Sequence, residues 1–154
     1  MTTRRIRTRT PLAGEEAADV ARDARIDEAE VAWIVTKRGA AMRSRDGDWL
    51  AARYLPGAEV VGVSPPVTRV ADPGTDAVRL WEWFELLQGR IRWTVRVERL
   101  DLAHDGAVCR VVERVSYREL ARPRVRTTLE TSIGLRRVEG RWRIEWELGV
   151  VAGA

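Results

Sequence analysis

The spacing of apolar residues divides the chain into a helical first half and a stranded second half. Between Glu28 and Ser44, Val31, Ile34, Val35, Ala41 and Met42 recur at helical intervals and predict an amphipathic helix with one buried stripe. Arg38 falls in the middle of that stripe. Upstream, Glu15 to Asp27 is rich in alanine and acidic residues and poor in large apolar ones, so it predicts a weakly anchored helical lead-in. The segment RDGDWLAARYLPG breaks at Gly47, offers Asp48 as a cap and stops at Pro56-Gly57, which predicts a short second helix. AEVVGV, residues 58–63, reads as a short strand. Prolines make SPPVTRVADPG a loop. Thr75 or Asp76 then caps a third helix carrying Ala77, Leu80, Trp81, Phe84 and Leu87 on one side, widened by Trp83 and Leu86.

After Gly89 the period changes from 3.6 to 2 and stays there almost to the end. This predicts four strands, turning at AHDG, at Arg122-Pro123 and at VEGR. Alternation sorts their side chains onto two faces. One holds Ile91, Trp93, Val95 and Val97; Cys109, Val111, Glu113, Val115 and Tyr117; Val125, Thr127, Leu129, Thr131, Ile133 and Leu135; and Trp142, Ile144, Trp146 and Leu148. The other is dominated by arginine, including Arg92, Arg110, Arg114 and Arg126, interleaved with Glu98, Glu130, Glu145 and Glu147. Helices are expected to cover the first face.

Composition limits what such a sheet can do. The 154 residues, 45% apolar and 32% charged, suit one α+β domain over residues 15–154, preceded by a basic arm, residues 1–14, that holds Arg4, Arg5, Arg7 and Arg9. No apolar run reaches the roughly 18 residues of a membrane span, and no secretory leader is visible, so a cytoplasmic protein without membrane contact is expected. One cysteine, Cys109, and one histidine, His104, exclude an internal disulfide and argue against zinc or a histidine triad. Neither metal nor cofactor is expected. The net charge of +4 is carried almost wholly by arginine, as Lys37 is the only lysine; a GC-rich genome explains this without nucleic acid as a partner.

Helices followed by a long curled sheet, with DGDWLAARYLPGAEVV early and VEGRWRIEWEL late, resemble the nuclear transport factor 2-like superfamily over roughly Asp27 to Val151. The resemblance implies a cone of curved mixed or antiparallel sheet wrapped around the N-terminal helices and enclosing an apolar pocket. It spans ketosteroid isomerases, polyketide cyclases, limonene epoxide hydrolases and non-catalytic dimerisation modules, so fold does not select function. Gly62, Ala40 and Thr131 stand where a ketosteroid isomerase carries its base, its tyrosine and its protonated acid. VVERVSYREL is similar to the epoxide hydrolase stretch with an Arg-x-Asp pair; Arg114 matches the arginine, and Glu147 falls near that family's second aspartate. Ser116 replaces the first aspartate, and Val61 and Val63 replace the tyrosine and asparagine that position water. That pattern points Arg114 and Glu147 inward, whereas alternation points Glu113 inward; a bulge would reconcile them.

On alternation, Glu113 is the leading acid/base candidate, because a carboxylate among apolar neighbours has a raised pKa unless a cation holds it ionised. Arg38 is placed to be that cation or to bind an anionic substrate group. Tyr117, further along the same face, is the expected donor to a carbonyl or enolate, with Arg114 and Glu147 as the alternative implied by the resemblance. Trp81, Trp93, Thr131 and Trp146 are expected to line a substrate cavity. The same residues also read as a satisfied buried pair inside an aromatic core. The expected function is therefore a cofactor-independent cyclase, isomerase or hydratase-type enzyme acting on an apolar, polyketide-like or polycyclic substrate, and working as a homodimer. The alternative is a non-catalytic ligand-binding or dimerisation module.

Overall fold

The computed structural model describes residues 13–62 and 67–153. Most of the basic arm (residues 1–12) and Val63 of the expected short strand lie outside them. The lead-in and the amphipathic helix form one helix, α1 (Ala13–Ser44), because nothing between Asp27 and Glu28 interrupts it. The stretch Ala13–Glu30 is solvent-exposed apart from half-buried Asp27, which accepts from Trp142 Nε1 at 3.2 Å and pairs with Arg137. Buried Val31, Ile34, Val35, Arg38, Ala41 and Met42 then form the expected stripe. At Gly39 the helix rides directly on the sheet: an added Cβ would lie 2.5 Å from Val95 Cγ2.

The second helix, α2 (Gly47–Arg53), is capped by Asp46 rather than Asp48; the Asp46 carboxylate accepts from Trp49 N at 3.1 Å. Pro56-Gly57 does not end this helix. It lies inside the strand β1 (Tyr54–Val61), where pairing skips from Tyr54 to Glu59. Pro56, which has no N–H to donate, fits an interrupted ladder, and Gly57 takes the φ of +81° there while its N–H donates to Ala71 O at 2.8 Å. The loop expected from its prolines contains a short strand, β2 (Arg69–Val70), paired with β1.

The third helix, α3 (Asp76–Leu86), buries Leu80, Trp83 and Phe84, whereas Trp81 is 58% exposed and Leu86 is also exposed. The apolar arc is thus centred one residue step from where the sequence pattern put it. Arg45 clamps the end of α3, its Nη1 donating to Phe84 O at 2.8 Å and Leu87 O at 3.1 Å. Its cation there complements the carbonyl-rich helix terminus.

Four long strands follow as expected: β3 (Arg92–Leu102), β4 (Gly106–Tyr117), β5 (Val125–Val138) and β6 (Arg141–Val151). The sheet order is β2-β1-β6-β5-β4-β3, antiparallel except for β1 beside β6. The inner face of this open, curved sheet meets α1 and α3. Its core forms two apolar clusters, one around Val31, Ile34, Val111, Ile133 and Trp142, the other around Leu80, Trp83, Trp93, Tyr117 and Leu129. This is an α+β cone with helices on one side of a curved, mixed sheet.

Alternation holds through β4 and β5 and is interrupted on β3, where Glu98 is an extra residue between Val97 and Arg99, and on β6. Gly134 pairs with Trp146 but Leu135 pairs with Ile144, so Glu145 is an extra residue and the parity of β6 reverses there. Trp142 and Ile144 point inward; beyond the bulge Glu147 is buried inside, and Trp146 and Leu148 turn to the outer face. Trp146 covers Gly134, where an added Cβ would come within 2.0 Å of its Nε1. The missing side chain at Gly134 makes room for the ring.

Candidate functional site

The bulge brings Glu147 to the same interior point that regular alternation gives Glu113, and α1 delivers Arg38 between them. Arg38 Nε and Nη2 donate to Glu147 Oε1 and Oε2 at 2.6 and 3.0 Å, and Nη1 donates to Glu113 Oε1. Trp93 Nε1 donates to Glu113 Oε1 at 3.0 Å and Thr131 Oγ1 to Glu113 Oε2 at 2.7 Å. The Tyr54 hydroxyl donates to Glu147 Oε1 at 2.5 Å. All six residues are buried, with Glu113 at 0% exposure and Arg38 at 4%. Every carboxylate oxygen of the cluster therefore has a protein donor.

Burial by itself would raise the Glu113 pKa. The Arg38 charge and the hydrogen bonds from Arg38, Trp93 and Thr131 outweigh that and hold it below the ordinary carboxylate value. Burial likewise opposes the charge on Arg38, and the two carboxylates overcome it. Tyr54 moves the other way: burial and the adjacent Glu147 charge push its hydroxyl well above the usual tyrosine value, fixing it as a proton donor. The Arg69 guanidinium caps the Tyr54 ring, 4.6 Å from its centroid, and pairs with buried Asp76 at 3.2 Å. Cys109, a buried thiol, is pushed up to about 11 by burial.

Of the residues expected from the sequence, Arg38, Glu113, Glu147, Trp93 and Thr131 meet in this cluster. Both inward orientations that seemed to compete, at Glu113 and at Glu147, occur together. Four residues do not join. Tyr117 lies four residues along β4, roughly 13 Å of strand from Glu113, with its ring edge-on to Trp83 at 5.3 Å in the second apolar cluster. Arg114 is exposed on the outer face, as alternation requires and contrary to the epoxide hydrolase pattern. Trp81 stands in solvent on α3, and Trp146 lies outside, over Gly134. Tyr54 was hidden from the sequence pattern because its segment reads as helix, and Asp76 because it reads as an exposed cap.

The interior that the resemblance gave to an apolar pocket is occupied by this cluster and the two apolar clusters around it. Grooves among the described residues open elsewhere. One of about 600 Å³ runs past Arg92, Arg114 and Arg126 on the outer sheet face, and one of about 390 Å³ separates Arg45 and Asp48 from Trp81. Neither these two nor three further grooves among the described residues are lined by Arg38, Glu113 or Glu147. Among the described residues, no three His, Cys, Asp or Glu side chains gather as a metal-ligand set, and no helix is long and apolar enough to cross a membrane.

Long α1, the short β1 running parallel to β6 and the curled antiparallel remainder define a class: helix-lined cones of open mixed sheet. The chain has the nuclear transport factor 2-like fold. A nuclear transport factor 2-like protein with a cystatin-like fold from Novosphingobium aromaticivorans matches 95% of this chain and 94% of its own at 15% identity, with a TM-score of 0.64. A second protein from that organism, provisionally named a scytalone dehydratase, matches 82% of this chain and 85% of its own at 14% identity, TM-score 0.65. A Xanthomonas campestris protein provisionally named a calcium/calmodulin-dependent protein kinase II association domain matches 80% and 86% at 17% identity, TM-score 0.56. No family model matches the sequence. No curated protein matches it.

Proposed function

We propose that this chain is a non-catalytic module that pairs with a second copy through the outer face of its sheet. The observation that carries this reading is the saturation of the interior carboxylates: Glu113 and Glu147 spend all four oxygens on protein donors, under full burial. A general base needs a free lone pair within reach of a substrate proton and a pKa near the working pH. Glu113 is instead held ionised and weakly basic, as suits a structural counter-ion.

The outer face has the makings of a partner surface. Val61, Val108, Leu148 and Val150 are each more than 40% exposed there, alongside Arg110, Glu98 and Glu130. Both charge signs lie on one face, so the face is complementary to itself, as a two-fold contact requires. Sedimentation velocity at micromolar concentration tests the pairing: the wild-type chain is expected as a dimer and Leu148→Glu as a folded monomer. A monomeric wild-type chain would overturn the reading.

One observation favours a second reading, that of a cofactor-independent cyclase, isomerase or hydratase acting on an apolar substrate. Two carboxylates against one arginine leave a net negative charge in the core, a costly arrangement that packed apolar residues would avoid. On this reading the cone opens, Glu113 moves the proton, and Arg38 and Tyr54 steady the developing oxyanion. Glu113→Gln would then abolish turnover of a substrate found by screening, while the module reading expects no turnover to lose.

A further inference from the structure

The outer sheet face carries a feature that pairing through Leu148 and Val150 does not use. In the strand register Arg92, Ser116 and Arg126 lie side by side across β3, β4 and β5, and Thr94, Arg114 and Thr128 form the next row of that face. Guanidinium and hydroxyl groups therefore alternate like the squares of a checkerboard. Arg114 is diagonal to both other arginines, and Arg92 and Arg126 are two strand spacings apart, about 10 Å. These six side chains line the groove of about 600 Å³, and no acidic residue lines it. Among the described residues, none of the three arginines takes part in an ion pair. A fourth arginine, Arg124, donates from Nη1 to Ser116 Oγ at 3.2 Å. Like charges at cross-strand and diagonal positions repel, and elsewhere on this sheet exposed arginines have carboxylate neighbours, as in Arg96–Glu98 and Arg136–Glu145.

We propose that this checkerboard of Arg92, Arg114 and Arg126 with Thr94, Ser116 and Thr128 is a binding site for a diphosphate group. Three unpaired guanidiniums match the roughly three negative charges of a diphosphate and can grip its oxygens in pairs, while the hydroxyls between them supply donors at shorter reach. The groove is larger than a bare diphosphate needs and falls within the size range of small-ligand sites, so an organic body on the diphosphate fits. No aromatic side chain lines it, so there is no stacking platform for a nucleobase. Glu98 and Glu130 lie further along the same face, which breaks any continuous basic track for a nucleic-acid strand. Recognition therefore rests on the diphosphate alone.

The test is calorimetric titration of the full chain with inorganic pyrophosphate and, separately, with ADP, at about 50 mM salt. The expected result is one ligand per chain, with pyrophosphate and ADP within a few-fold of each other. Arg114→Gln should weaken both at least tenfold without lowering Tm, because it removes a like-charge contact from an exposed position. Arg136→Gln, on the same face but outside the groove, should change binding less than twofold. ADP much tighter than pyrophosphate would keep the site and add a nucleoside subsite. Equal losses in the two variants would overturn the proposal in favour of diffuse charge, and absence of binding by either ligand would overturn it outright. Binding of oligonucleotides that strengthens with length, without pyrophosphate binding, would reassign the groove to nucleic acid. Dissociation of a dimer by pyrophosphate would reassign it to the carboxylates of a second copy.

Discussion

Arg38 is the residue on which the interior depends, since it is the cation shared by two buried carboxylates. Removing it in Arg38→Met leaves Glu113 and Glu147 buried without a counter-ion, so stability at pH 7 should fall by about 3–5 kcal/mol, a Tm drop of roughly 6–20 °C. The pH dependence should also change sign. In the wild-type chain the Glu113 pKa is depressed by folding, so its contribution is present above the unfolded carboxyl value of about 4.3 and is lost as pH falls through the lower folded value. Without Arg38, desolvation, the largest influence, is opposed only by the hydrogen bonds from Trp93 and Thr131, and the folded pKa rises. The variant should then be most stable in acid and lose stability as pH rises through that raised value. Urea unfolding from pH 3.5 to 8 reads both signs; parallel profiles would mean that Arg38 is not what holds Glu113 ionised. Tyr54→Phe takes one donor from Glu147 and should cost about 1.5–3 kcal/mol, the range for hydrogen bonds to charged groups. Its unfolding curve measures that directly.

Individual strands and helices show how far the sequence could be read. The faces of β4 and β5 were legible because unbroken alternation puts every second residue in the core, and that rule alone found Glu113 and Thr131. The long-helix stripe found Arg38 in the same way. What the period could not show was the extra residue at Glu145, since a bulge leaves both flanking runs alternating and only changes which face they share. Trp146, Leu148 and Glu147 were therefore assigned to the wrong faces by alternation, and only the family resemblance turned Glu147 inward. Tyr54 was missed because Pro56-Gly57 reads as a helix stop, whereas it lies in the interrupted part of β1. The role of Gly134 gives a check at this scale. Gly134→Val should expel the Trp146 ring from the outer face, costing about 1–3 kcal/mol, and red-shift the tryptophan emission. An unchanged spectrum would mean that the ring does not rest on Gly134.

For the molecule as a whole, the proposal divides the labour between a filled interior that holds the fold and a grooved exterior that meets partners. Cys109 reports on the first half of this statement. Its buried thiol, pushed up to about 11, should resist a disulfide reagent in the native protein and react only on unfolding. The most direct measurement of the central claim is the carbon-13 carboxyl shift of Glu113 followed against pH, with and without a mixture of flat polycyclic ketones and phenols. A sealed, ionised counter-ion predicts a resonance that shows no titration near neutral pH, changes only at a pH lower than that of a free glutamate side chain, and does not move when the mixture is added. Titration near neutral pH, or a shift on adding the mixture, would contradict the account and make the Arg38 cluster an open acid/base site.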